Sequence, residues 1–182
     1  AGQAVGPGCV VLDCSRHMDD IVDVDPDARL ATVQPGVVQD DLDAALSPHG
    51  LKFAPDPASS GRATVGGGIG NNSTGAHSVR YGITDAYVAG LDVVLADGSL
   101  IRTREVVLDS AEWDEIVERD DREAELYQTV RALVEDNREA IERRYPELKR
   151  SVSGYNLQKV VYEREDGTKD IMISTRGGKC VR

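Results

Sequence analysis

The sequence predicts an α+β fold, in which short strands and separate helices pack in layers. Short apolar runs bounded by turn residues, one short helical pattern in the first half, and a hairpin signal at Asp97-Gly98 all favour it. The order strand, helix, strand, loop and hairpin differs from the regular alternation of a doubly wound sheet. With 182 residues, the chain has room for one domain with a real core or for two small lobes.

The first half of the chain contains three predicted strands and one helix. Residues 8–13 and 31–34 are short apolar runs, and acidic residues 19–29 between them are typical of a turn that joins a hairpin. Apolar residues recur at helical spacing from Val38 until the chain meets Pro48, which predicts one short amphipathic helix. Residues 51–54 follow as a strand that leads into a glycine-rich segment.

The second half begins with a hairpin and then becomes helical. Residues 88–96 and 100–107 flank Asp97-Gly98, a strong hairpin signal. Asp109 and Glu112 form a candidate capping pair, and helical periodicity runs from there to Pro146. We expect the polar residues 162–182 to be a divergent, poorly structured tail.

Composition excludes several classes of protein. The formal net charge is −11, which argues against nucleic acid as a partner. No run approaches the ~20 apolar residues of a membrane helix, so we expect a soluble, cytoplasmic chain. The acid-rich, lysine-poor composition fits a halophilic source and equally fits an ordinary acidic cytosolic protein. The three cysteines show neither a C-x-x-C pair nor zinc-site spacing, so no metal site is predicted.

Residues 55–82, the glycine-rich segment, hold seven of the 18 glycines. Glycine lets the backbone approach a ligand closely and turn its N–H groups onto an anion such as a pyrophosphate, so this clustering predicts a nucleotide cradle. The alternative is a solvent loop rich in turn residues. The glycines follow neither the Rossmann nor the Walker order.

The ordered string DPASSGRATVGGGIGNNSTGAHSVRYG carries a family resemblance. Together with AGQAVGPGCVVLD, SRHMDDIVDVD, ATVQPGVVQDDLDAAL, LDVVLADG and VSGYNL, it resembles the FAD-binding domain of the vanillyl-alcohol oxidase and p-cresol methylhydroxylase superfamily. Within that superfamily the chain looks most like FAD-linked dehydrogenases of glycolate, D-lactate and D-2-hydroxyglutarate. Some of these relatives are fused to an iron-sulfur module.

The resemblance implies a fold of two α+β lobes with FAD between them. The corresponding domains are residues 1–50 for the remainder of the first lobe and 51–161 for the second, with a helical insertion at about 109–145. The residues that match the family's cofactor contacts are Gly2 and Gln3 in the first loop, and Pro55, Asp56, Ser59, Ser60, Thr64, Gly66, Gly67, Asn71, Ser73, Gly75 and Ala76 in the second.

Three further residues, His77, Arg80 and Tyr81, lie near the end of this segment. We expect His77 to have a structural role or to support the residues that contact the flavin, since the family motif does not place a covalent flavin attachment there. Arg80 and Tyr81 are expected to fix the exit of the loop, with a contact to the flavin edge as the alternative.

Departures from the family pattern limit what the resemblance implies. Relatives carry an Arg-Gly-Gly-Gly-Thr-Ser type loop before the position of Ala1, and a Val-Gly-Ser-Glu-Gly-Thr-Leu-Gly type motif where this chain reads DIMISTRGGKCVR. We therefore expect an incomplete first lobe and a chain truncated at both ends, without the substrate domain that carries the catalytic residues.

The resemblance implies oxidation of a 2-hydroxy acid to a 2-oxo acid by bound FAD, with an iron-sulfur electron-acceptor module or subunit as a partner. The alternative is a flavin-binding remnant or interaction module without turnover. No catalytic residue can be assigned, and the chain alone is expected to be inactive.

Overall fold

The computed structural model describes residues 6–145 and 156–172. These residues divide into two compact units with the boundary between Tyr87 and Val88. Unit 1 is the part up to Tyr87, and unit 2 is the part from Val88 onward. Helices and small antiparallel sheets occur together, which confirms the predicted α+β class.

Unit 1 combines one hairpin with short helices. Strands β1 and β2 pair antiparallel, and α1 and α2 follow them along the chain. The elements of this unit are β1 (Ile21–Asp25), β2 (Leu30–Val33), α1 (Gln39–Leu46), α2 (Val65–Gly70), α3 (Ser78–Tyr81) and the 3-10 turns Cys14–Arg16, Ser47–His49 and Thr84–Tyr87.

The core of unit 1 forms because apolar residues of α1, α2 and the hairpin face one another. Its buried centre is Val37, Leu42, Leu46 and Val65. Leu51 and Phe53 pack against this centre, so the chain just past residue 50 belongs to unit 1. The boundary between these compact units is not the predicted boundary between lobes at residue 50, which stays a prediction.

The described part of unit 2 contains two small sheets, three α-helices and one 3-10 turn. Strands β3 and β4 pair antiparallel, and β7 lies between β5 and β6 in a second antiparallel sheet. The elements are β3 (Gly90–Val94), β4 (Leu100–Arg104), β5 (Val106–Val107), α4 (Ala111–Val117), α5 (Arg122–Asp136), α6 (Arg138–Arg144), the 3-10 turn Leu157–Lys159, β6 (Val161–Glu163) and β7 (Lys169–Ile171).

The core of unit 2 is built around Tyr127, which has no exposed surface. Trp113 packs edge-on against it with ring centroids 6.4 Å apart. The Tyr127 hydroxyl donates to the Arg104 carbonyl at 3.1 Å and accepts from the Arg104 N–H at 3.2 Å. Helix α5 is thereby fixed to the end of β4.

Two strand predictions in unit 1 were wrong. Residues 8–13 form no strand, and Val10 and Leu12 are 86% and 82% exposed, because no described strand pairs with them. The hairpin partner of β2 is β1, which lies inside the acidic stretch predicted as a turn. Ile21 and Val24 pack on the core there. Residues 51–54 are also not a strand, although Leu51 and Phe53 pack on the core.

Two predictions for unit 2 also need correction. The predicted tail, residues 162–182, is ordered in its described part up to residue 172, because β6 and β7 pair with each other and β7 pairs with β5, burying Asp170 and Ile171 completely. The cap of α4 is Ser110, whose hydroxyl accepts from the Trp113 N–H at 3.2 Å. The predicted capping residue Asp109 accepts instead from Arg131 at 2.9 Å.

The described helices include none that combines the length and the apolar character needed to cross a membrane.

Candidate cofactor-binding site

The glycine-rich segment lies entirely in unit 1 and includes the helices α2 and α3. Thr64 caps α2, since its hydroxyl accepts from the Gly67 N–H at 3.3 Å. The Val65 N–H donates to the Val37 carbonyl at 2.8 Å, and the Gly66 N–H donates to Pro35 at 2.9 Å. The first N–H groups of α2 therefore already have acceptors inside the protein.

Two of the glycines are required by close approach of neighbouring backbone. A Cβ at Gly75 would lie 2.0 Å from the Asp56 carbonyl oxygen, and one at Gly66 would lie 2.6 Å from the Pro35 Cβ. Real Cβ atoms do not tolerate such distances, so both positions need glycine. Part of the glycine signal thus reflects packing of the loop against residues 35 and 56.

A polar clasp joins the end of this loop to the turn Thr84–Tyr87. The Asn72 side chain donates to the Asp85 carboxylate at 3.1 Å and accepts from the Asp85 N–H at 2.9 Å. The Ser73 carbonyl accepts twice from Thr84, from its N–H at 3.1 Å and from its hydroxyl at 2.8 Å. Asn72 has a φ of 46°, a left-handed conformation that asparagine tolerates better than most residues.

The clasp is followed by three unpaired backbone donors. Within the described part of the chain, no group accepts from the N–H of Thr74, Gly75 or Ala76, which we call the amide run. The Thr74 hydroxyl is buried and also has no partner among the described residues. Successive free N–H groups form concave binding sites for anions, so the amide run fits the phosphates of a nucleotide cofactor.

Asp56 ties the start of the glycine-rich segment to its end. Its carboxylate pairs with the ring Nδ1 of His77, and its Oδ1 also accepts weakly from the His77 N–H at 3.4 Å. The hydrogen bond from the His77 ring lowers the pKa of Asp56, and this outweighs the opposing effect of burial. His77 therefore has a structural contact in the loop, in agreement with one of the roles expected for it.

The exit of the loop is held by aromatic residues. The Arg80 guanidinium lies over the Tyr81 ring, 5.2 Å from its centroid. The Tyr87 hydroxyl donates to the Tyr81 carbonyl at 2.6 Å. Both contacts fix the chain where it leaves α3.

The predicted site residues fall into separate groups. Asp56 and Gly75 lie in contact, and Ala76 is the next residue along the chain. Ser59 and Ser60 lie in the turn before α2, where the Ser59 carbonyl accepts from residues 62 and 63 at 2.8 Å. Pro55 is buried. The N–H groups of Asn71 and Ser73 donate to Gly67 at 3.2 Å and to Gly68 at 2.8 Å, respectively. Gly2 and Gln3 lie outside the described residues.

Sequence reasoning missed the residues that hold this loop. Thr84 and Asp85 stand 11 and 13 residues beyond their partners Ser73 and Asn72. The Thr-Asp pair two residues after Gly82 was the available sequence signal for a turn that binds neighbouring backbone.

Gln39 was also missed. It is 2% exposed, and neither polar atom of its side chain has a partner among the described residues. A Cβ at Gly68 would lie 2.8 Å from the Gln39 Nε2, so this amide packs against α2 at Gly68.

Across residues 6–145 and 156–172, no three His, Cys, Asp or Glu side chains converge as a metal site would require.

Comparison with known proteins decides the family. A family model described as an FAD binding domain matches residues 1–104, more than half of the chain. This chain belongs to the FAD-binding domain family. The predicted cofactor, FAD, is confirmed by that membership, and the predicted relationship to FAD-linked dehydrogenases is confirmed by individual relatives.

Three relatives illustrate the similarity. D-2-hydroxyglutarate dehydrogenase of Pseudomonas putida is 40% identical over 156 residues, which cover 86% of this chain and 15% of the relative. The enzyme of the same name from Escherichia coli is 34% identical over 159 residues, 87% of this chain and 15% of the relative. Glycolate oxidase subunit GlcD of Bacillus subtilis is 47% identical over 88 residues, 48% of this chain and 19% of the relative. The chain thus spans less than a fifth of the length of these relatives.

Proposed function

We propose that this chain supplies the FAD-binding part of an oxidoreductase that converts a 2-hydroxy acid into a 2-oxo acid. The observation that carries the proposal is the family match over residues 1–104, which includes the whole amide run. The relatives' names, D-2-hydroxyglutarate dehydrogenase and glycolate oxidase subunit, supply the class of substrate.

The role proposed for unit 1 is to bind and orient the cofactor. The amide run would donate to the pyrophosphate, and the remaining predicted residues would line its path. Hydrogen bonds from backbone N–H groups to a charged phosphate are roughly twice as strong as neutral ones, so three of them favour a diphosphate over a neutral ligand. The Asp56 to His77 contact would keep both ends of the glycine-rich segment together while the cofactor binds.

When bound, FAD would supply the redox chemistry as the hydride acceptor for the α-carbon of the acid, and the hydroxyl proton would pass to a base. No described residue of this chain is proposed as the base for that proton. An iron-sulfur module or subunit as electron acceptor, a cytoplasmic location and a halophilic source belong to the same proposal. The acid-rich composition, with a net charge of −11, supports the last of these.

The proposal is tested in two steps on the purified chain in high salt. Titration with FAD, followed by quenching of flavin fluorescence, should saturate at one FAD per chain. The loaded protein is then mixed without oxygen with glycolate, D-lactate or D-2-hydroxyglutarate, and flavin absorbance is recorded.

The two steps separate three outcomes. Bleaching by one acid supports the full proposal. Binding without bleaching by any of the acids is the result expected of the FAD-binding part alone, and a flavin-binding remnant without turnover would give the same result. Absence of FAD binding would contradict the role proposed for this chain.

A further inference from the structure

We propose that Thr84 is a positioning residue that aims the Thr74 N–H at the pyrophosphate of FAD. This inference rests on the proposed function, since it concerns how unit 1 presents the amide run. Neither residue is among the cofactor contacts that the family resemblance implies, and Thr84 lies beyond the glycine-rich segment.

The peptide group that joins Ser73 to Thr74 has a fixed geometry. The Ser73 carbonyl and the Thr74 N–H belong to the same peptide, which is trans. In a trans peptide the C=O and N–H vectors point in opposite directions within one plane. Whatever holds the Ser73 carbonyl therefore also fixes the direction of the Thr74 N–H.

Thr84 holds the Ser73 carbonyl through two hydrogen bonds. Its N–H donates at 3.1 Å and its hydroxyl at 2.8 Å, so two donors from one residue occupy the same oxygen. Thr84 is itself only 1% exposed, so its side chain has little room to rotate away from the Ser73 carbonyl. The Thr74 N–H is consequently directed away from the turn Thr84–Tyr87.

The peptide between Asn72 and Ser73 cannot rotate in compensation. Asn72 has a φ of 46° and is held by two hydrogen bonds to Asp85. Asp85 is buried beside Thr84 in the same turn. Both residues before Thr74 are thus fixed by neighbouring residues of one turn, and the loop reaches Thr74 in a single defined orientation.

Thr74 has two polar groups, its N–H and its hydroxyl, that are available to a ligand. Within the described chain neither its N–H nor its buried hydroxyl has a hydrogen-bond partner. Buried polar atoms without partners are rare and cost free energy, and a ligand that pairs them recovers it. The free N–H groups of Gly75 and Ala76 follow directly, so the matching ligand group is one with several acceptor oxygens, as in a diphosphate.

The test compares substitutions of Thr84 that differ in a single group. Thr84→Val keeps the shape and the backbone N–H but removes the hydroxyl, and Thr84→Ser restores the hydroxyl. Thr103→Val is the matched control, because Thr103 is 2% exposed in unit 2 and its hydroxyl also donates to a backbone carbonyl, that of Leu91 at 3.4 Å. Thermal melts of all variants check that each one is folded.

Two readouts are measured on each protein, the dissociation constant of FAD and the amide resonance of Thr74 in proton-nitrogen correlation spectra. In the wild-type chain and in Thr84→Ser, saturating FAD should shift the Thr74 amide proton downfield, as a hydrogen bond to phosphate does. In Thr84→Val the shift should shrink and the dissociation constant should rise about tenfold, which equals about 1.4 kcal/mol. Thr103→Val should match the wild type in both readouts.

The outcomes separate this inference from the function on which it rests. If the wild-type chain binds FAD but the Thr74 resonance stays in place, or if Thr84→Val binds as tightly as wild type, the inference is overturned and the FAD-binding role survives. If the wild-type chain binds no FAD, the proposed function fails and the inference fails with it.

Discussion

Replacing Gly75 with alanine tests whether residue 56 and the amide run approach each other as closely as the structure shows. An added Cβ would lie 2.0 Å from the Asp56 carbonyl oxygen, 2.3 Å from its carbonyl carbon and 2.5 Å from its Oδ1. Atoms in ordinary contact lie about 3.5 Å apart, so the two segments would have to separate by about 1.5 Å. Two of the three atoms are backbone, which cannot rotate out of the way.

The expected cost follows from this overlap. Forcing extra atoms into a packed site typically costs 1 to 3 kcal/mol, and an overlap with backbone belongs near the upper end, about 3 kcal/mol. The displaced loop would also misplace at least one N–H of the amide run. Losing one hydrogen bond to a charged phosphate, about 1.5 kcal/mol, raises the dissociation constant of FAD more than tenfold.

The assays are urea denaturation followed by far-UV circular dichroism, and FAD titration by flavin fluorescence. Tryptophan fluorescence is unsuitable for the stability measurement, because the single tryptophan, Trp113, lies in unit 2. Gly70→Ala is the control: its Cβ would meet nothing within 4 Å, and an alanine at this end of α2 should change stability by less than about 1 kcal/mol. If Gly75→Ala behaves like Gly70→Ala in both assays, the contact between Asp56 and Gly75 is not as described.

Three further substitutions test other parts of the molecule. Tyr127→Phe should lower the free energy of unfolding by about 2 kcal/mol in urea, because the N–H and C=O of Arg104 lose their partner; unchanged stability would contradict the two hydrogen bonds. Gln39→Met should raise that free energy by about 1 kcal/mol, because two unpaired buried atoms disappear, and a clear loss of stability would mean that the amide has a partner in the folded chain. The hydrogen bond from His77 lowers the pKa of Asp56 in the folded chain below its ordinary 3.8, so the charged carboxylate stabilises the fold. This stabilisation is fully present above pH 3.8 and is lost as the pH falls through the lowered pKa. The stability difference between wild type and Asp56→Asn should therefore be constant near neutrality and vanish in acid, and a difference that persists in strong acid would show that the carboxylate charge is not its source.

Local chemistry was the part of the fold that the sequence could predict. The hairpin at Asp97-Gly98 forms because Gly98 has a φ of 86° and the Asp97 carboxylate accepts from the Ser99 N–H at 2.9 Å. The same chemistry occurs at Asp166-Gly167, where the carboxylate accepts from the Thr168 N–H at 2.9 Å. Strands β6 and β7 were missed because they are only three residues long and half of their residues are charged, although this turn signal was present.

Pairing between distant residues was the part that could not be predicted. Residues 8–13 have the composition of a strand, but a strand forms only with a partner, and none of the described strands pairs with them. Within the candidate site, the glycine pattern marks where backbone segments approach closely, because close approach leaves a compositional trace at residues such as Gly75. The clasp from Asn72 and Ser73 to the next turn follows no periodicity, so Thr84 and Asp85 were not found.

Equilibrium dialysis of the purified chain against FAD tests the central claim most directly. The amide run and the family membership predict saturable binding of one FAD per chain, reduced more than tenfold by Gly75→Ala and unchanged by Gly70→Ala. A wild-type chain that is folded by circular dichroism yet retains no FAD at millimolar concentration would contradict the claim that residues 74–76 form a cofactor site.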